Sequence, residues 1–116
     1  MSLDLSLYIL ADTGGPCPER FELFDANYTH NAGKMASEAG IYKHIWRPEE
    51  LSEVHCAGDL IEPLRQGIRL MEDDPARFIA IQPENGWGSY KTFLPWVREY
   101  LSACIEHPKA LIEADR

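Results

Sequence analysis

Leu3, Leu5, Leu7 and Ile9 fall at every second position of Leu3-Asp-Leu-Ser-Leu-Tyr-Ile-Leu10, and this spacing constrains the fold more than any other feature. Side chains of an extended chain alternate between two faces, so the pattern predicts a half-buried strand with one apolar side that another layer must cover. The cover is legible further along. Val54, Ala57, Ile61, Leu64, Ile68 and Met71 are spaced three-four-three-four-three, a continuous helical stripe broadened by Leu60. Leu94, Val97, Leu101 and Cys104 form a second stripe in a helix expected over roughly Ser89 to Glu106, with an irregular first turn around Pro95.

Phe21-Glu-Leu-Phe-Asp25 predicts a second short strand, antiparallel to the first across the turn-rich Thr13-Gly-Gly-Pro-Cys-Pro18. A helix is expected to start between Thr29 and Asn31, run through Met35 and Ala39, and stop at Gly40. Ile41 to Trp46 fits either a helical turn or an extended piece, while Pro48 and Asp74-Pro75 each open a new helix. Pro63 interrupts the long stripe. The helix there either kinks or starts afresh from Asp59, with Glu62 completing a capping box. Pro108 ends the last helix, and Lys109 to Asp115 reads as a closing strand. The order β-β-α-α-α-β fits an α+β fold, a small antiparallel sheet with helices packed on one face, as a single domain over residues 1–116.

Composition excludes several function classes. Lys and Arg number 11 against 19 Asp and Glu, and a net charge of −8 argues against a duplex nucleic acid partner. No apolar run approaches a membrane span, and Met1-Ser-Leu-Asp-Leu5 lacks the basic start of a signal peptide, so a cytoplasmic protein is expected. Cys17, Cys56 and Cys104 are odd in number and dispersed, which predicts reduced structural thiols and no metal site. His30, His44, His55 and His107 sit in no H-E-x-x-H or nucleophile-elbow context. No phosphate-binding P-loop is present, and no cofactor is expected.

Two polar-aromatic segments remain, Asn27-Tyr-Thr-His-Asn31 and Glu84-Asn-Gly-Trp-Gly-Ser-Tyr90. Each has a structural reading. Thr29 or Asn31 caps one helix, and an Asn-Gly turn leads into another capped by Ser89, with Trp87 packed into the core. Each also has a functional reading. Helix N-termini present unpaired N–H groups, Lys34 and Lys91 lie close by, and glycines beside Trp87 admit a ligand to a stacking face. On that reading His30, Asn31, Lys34, Asn85, Trp87 and Tyr90 bind a small anionic or nucleotide-like ligand, with Arg47 contributing if it is not paired with Glu49 or Glu50. His30 with Asp25 or Glu84 is the one candidate acid–base pair, and it would make the protein a hydrolase.

Asp12-Thr-Gly-Gly15 after the first strand, Asn27-x-Thr-x-Asn31, Pro83-Glu-Asn-Gly-Trp-Gly-x-Tyr90 and Ala103-Cys-Ile-Glu-His-Pro-Lys-Ala110 together resemble a family of small uncharacterised proteins common in tailed-phage genomes and bacterial chromosomes. The resemblance spans nearly the whole chain, with Pro95 and the proline-rich loop after Gly15 as local departures. It implies a setting and no mechanism: a phage or prophage accessory protein. Such a protein would act as a non-catalytic binder that sequesters a phosphate-containing or nucleotide-like immune signal, or as an inhibitor that binds a host protein directly. A homo-oligomer is compatible with either.

Overall fold

A computed structural model describes residues 2–116 as a three-stranded antiparallel sheet with five α-helices inserted between its second and third strands. β1 (Ser2–Ala11) is central, with β2 (Glu19–Thr29) on one side and β3 (Leu111–Asp115) on the other. The expected alternation holds for the first half of β1. Leu3, Leu5 and Leu7 are buried and lie opposite Tyr28, Ala26 and Phe24 of β2.

A register shift between Leu7 and Tyr8 then sets Tyr8 opposite Glu22 and Ile9 opposite Phe21. Ile9 departs from the expected core, being 39% exposed, because the far end of the β1–β2 arm has no helix over it. The molecule is accordingly elongated, 53 Å by 27 by 22 Å. β2 is also longer than Phe21 to Asp25, reaching Thr29. Asn27 has little strand preference of its own, but it pairs with Asp4 of the strongly patterned β1, and Tyr28 and Thr29, both good strand formers, carry the ladder on to Leu3 and Ser2.

The helical layer comprises α1 (Gly33–Glu38), α2 (Tyr42–Trp46), α3 (Ile61–Asp73), α4 (Pro75–Ile79) and α5 (Tyr90–Glu106). Short 3-10 turns at His30–Ala32, Pro48–Glu50 and Ala57–Leu60 link them. Ile41 to Trp46 thus resolves as helix, and Gly40 ends α1 with a φ of +77°. Pro63 falls in the first turn of α3, where a missing N–H removes no intrahelical bond, so it introduces no break. Pro95 lies deeper, and α5 runs through it to Glu106. Gly67 lets α3 approach closely, since a Cβ there would stand 2.6 Å from Cγ2 of the buried Ile41.

The capping box also differs from expectation. Asp59 is its distal member, accepting from the His55 and Cys56 backbone N–H groups at 2.8 and 3.2 Å, and Glu62 plays no part in it. These two bonds, that to His55 foremost, hold the Asp59 carboxyl below its ordinary pKa. A carboxyl depressed on folding stabilises the native state above its unfolded pKa and loses that contribution as pH falls through the folded value. Asp59→Ala is therefore expected to lower the melting temperature at pH 7. The gap from wild type should close as pH drops below about 4. Melting curves at several pH values check this, and a gap independent of pH would show that the carboxylate is not the stabilising group.

Trp46, Tyr100, Phe78 and Phe93 are the largest fully buried side chains. α5 meets the sheet through aromatic contacts: Phe24 stacks on Tyr100 at 6.1 Å, and Tyr28 lies 5.4 Å from Phe93 and 5.1 Å from Trp96. All three cysteines are free, but they are not alike. Cys104 is a core thiol whose pKa is pushed up to about 12 by burial, whereas Cys17 is exposed in the hairpin loop and serves no packing role. No helix among the described residues is long and apolar enough to cross a membrane.

Candidate functional site

The two polar-aromatic segments meet. The first leaves β2 as strand and turns at its end, where Thr29 Oγ1 accepts from the Asn31 N–H at 3.2 Å and opens the His30–Ala32 turn. The second is the loop between α4 and α5. Asn85 Oδ1 accepts from the Trp87 N–H at 3.0 Å, and Gly86 and Gly88 take positive φ values of +78° and +86° on either side of Trp87. Gly88 is the point of closure. It is buried, and a Cβ on it would lie 2.9 Å from Thr29 Cγ2 and 3.2 Å from the Ala32 nitrogen. The second glycine, expected to admit a ligand, admits the other segment.

The result is a cleft of about 760 Å³. Asn27, Tyr28, Thr29, His30 and Asn31 line one wall, and Asn85, Trp87 and Gly88 line the other. Ser2 and Thr92 complete it. Trp87 is 70% exposed, which corrects the reading that packs it into the core. With a positive-φ glycine on each side, the backbone carries its indole out to the rim instead of folding it inward. Below it, the Tyr28 hydroxyl lies 2.7 Å from Thr92 Oγ1. Partial burial raises the Tyr28 pKa, and the Thr92 bond offsets this only in part, so the hydroxyl stays neutral.

His30 sits between this cleft and a smaller recess of about 230 Å³ that it shares with Tyr42, Trp46, Arg47 and Arg116. Its Nδ1 accepts from the Trp46 indole N–H at 2.9 Å. Indole only donates, so the bond selects the imidazole tautomer carrying its proton on Nε2. Its partner is thus Trp46, and neither Asp25 nor Glu84 takes that place.

The remaining expected residues are dispersed around the cleft. Lys34 lines an adjoining recess of about 600 Å³ with Gln82 and Glu84, and Asn31 and Asn85 border both spaces. Arg47 is held by Glu50 at 3.1 Å, away from the cleft. Tyr90 points elsewhere: its hydroxyl donates to the Met71 carbonyl at 2.9 Å, and its N–H donates to Gln82 Oε1 at 3.1 Å, tying the loop to α3. That second bond occupies the first N–H of α5, while the turn at His30 is a single turn feeding a six-residue helix. Side-chain amides and hydroxyls, more than helix ends, are therefore the cleft's polar groups. Ser89 occupies the N-cap position of α5 without a side-chain cap bond, and Lys91 is not among the lining residues.

Ser2 and Thr92 carried no signal of their own in the sequence. Ser2 arrives through its pairing with Thr29, and Thr92 through the first turn of α5. No cluster of three His, Cys, Asp or Glu side chains able to hold a metal occurs among the described residues. No family model, curated protein or solved structure matches the chain.

Proposed function

We propose that the cleft binds a small phosphate-containing or nucleotide-like ligand without chemical turnover. The observation that carries this reading is the exposed indole of Trp87, held out over a wall of amides. Leaving so large an apolar ring in water forfeits its burial energy, and a face kept open beside a cleft suits a planar partner. Asn27, Asn31 and Asn85 each offer a donor and an acceptor, the combination that reads the edge of a base. Lys34, one step beyond Asn31 and Asn85, is the cation that a phosphate would meet. The indole bond to His30 Nδ1 leaves Nε2–H as a hydrogen-bond donor, which favours a binding role for His30 over that of a general base. In the phage setting suggested by the quoted segments, the ligand would be a nucleotide signal of host defence, removed by sequestration.

Isothermal titration against a panel of nucleotides and cyclic nucleotides tests the proposal. Trp87→Ala is expected to weaken binding by about 1–3 kcal/mol, as for bases stacked on aromatic platforms, while leaving the melting temperature close to wild type. Silence of the wild-type protein across the panel would overturn the reading. A large loss of stability in Trp87→Ala would show the indole to be a packing residue instead.

A further inference from the structure

We infer that the free edge of β2 pairs with the same edge of a second copy of this chain, antiparallel and centred on Phe21. β2 is the outermost strand of the sheet, and Glu19 to Leu23 are all exposed. An edge with unpaired N–H and C=O groups beside exposed apolar side chains is a template for another strand. Here the apolar groups are concentrated: Ile9, Leu10, Phe21 and Leu23 are four of the eight exposed large apolar residues among those described. Neither lysine nor proline interrupts β2, and the register shift that leaves Leu23 without a β1 partner falls at the end of the stretch, so charge is the device left to keep strands away from Glu19 to Glu22.

The charges on this edge are self-complementary in a single register. With the two-fold axis at Phe21, Arg20 lies opposite the partner's Glu22, Glu22 opposite the partner's Arg20, and the two Phe21 rings face each other. Centring the pair on Arg20 would oppose two guanidiniums, and centring it on Glu22 would oppose two carboxylates. Centring it on Leu23 would set Phe21 against Asp25. Opposite charges directly across a strand pair stabilise it and like charges destabilise it, so the register is specified. Pro18, which has no N–H, would fall opposite Phe24 and close the pairing.

The arm also holds Arg20 in place. Its guanidinium lies 3.9 Å from the Tyr8 ring centre and within 2.9 and 3.2 Å of Glu113 and Glu22. Two copies each bearing a net charge of −8 repel in general, and the Arg20-Phe-Glu22 stretch is where that repulsion is reversed locally. The cleft lies at the other end of β2, around Asn27 to Thr29, so the pairing is independent of the ligand.

Sedimentation equilibrium of the wild-type chain should show a reversible dimer. Arg20→Glu and Glu22→Arg, each studied alone, should weaken it by roughly tenfold or more, because every cross-strand charge pair becomes like-signed. Mixing the two variants in equal amounts should restore association, since each then supplies the charge opposite to its partner's. Amide exchange of wild-type Glu19 to Leu23 should slow as concentration rises, a readout that needs no substitution. A wild-type monomer at all concentrations, exchange indifferent to concentration, or a mixture no tighter than the single variants would overturn the inference.

Discussion

Gly88→Ala is expected to destabilise the protein by about 2–6 kcal/mol and to abolish binding of the proposed ligand at the cleft. Two separate penalties meet at this residue. Its φ of +86° is a conformation that costs a residue with a Cβ roughly 1–3 kcal/mol. The added methyl would also stand 2.9 Å from Thr29 Cγ2 and 3.2 Å from the Ala32 nitrogen. Thr29 could rotate, but Ala32 presents backbone, so the loop itself must move, an overpacking penalty of about 1–3 kcal/mol. Gly86→Ala separates the two terms. Its φ of +78° carries the same strain, but its Cβ would meet nothing within 4 Å. Urea unfolding of both variants should therefore find Gly88→Ala clearly the less stable. Equal losses would mean that strain alone operates and that the contact between the segments does not hold the cleft closed.

The contrast between these glycines explains what was legible in the sequence. Asn85-Gly-Trp-Gly88 announced a special backbone, and both glycines do take positive φ. Which neighbour required the second one was not readable, because Thr29 and Ala32 lie far away in the chain and arrive through the sheet. The same limit applies elsewhere. The first half of β1, α3 and α5 followed from local periodicity, which is fixed by residues two to four apart, and the closing strand from the helix stop at Pro108. The full length of β2 did not, since Asn27 is a poor strand former and Thr29 suits a helix cap as well as a strand, and it is pairing with Ser2 to Asp4 that extends the strand to Thr29.

The candidate site divides along the same line. His30, Asn31, Asn85 and Trp87 were found by composition and do share the cleft. Tyr90 had a full claim by residue type, yet it is committed to Met71, a partner that no spacing rule reveals, whereas Arg47 takes the nearby Glu50, the pairing that the sequence offered as the alternative to its binding role. Trp87 went against the usual placement of tryptophan because positive-φ glycines on both sides decide where its backbone can go.

The other large effect should come from beneath the cleft. Phe93→Ala is expected to destabilise the fold by about 3–5 kcal/mol, the range for deleting a fully buried ring. Phe93 lies 5.4 Å from Tyr28, 6.3 Å from Trp46 and 6.2 Å from Trp96, so it supports three aromatic neighbours together. Tyr28 lines the cleft, and Trp46 fixes the tautomer of His30, which makes one buried ring the support for both groups. Phe93→Leu keeps most of the volume and should unfold at a denaturant concentration between wild type and Phe93→Ala. At full occupancy of the folded state, it should still bind ligand more weakly than wild type, because Tyr28 and Trp46 lose a rigid support. A Phe93→Ala loss under about 1 kcal/mol would instead place the burden of holding the site on the Gly88 contact alone.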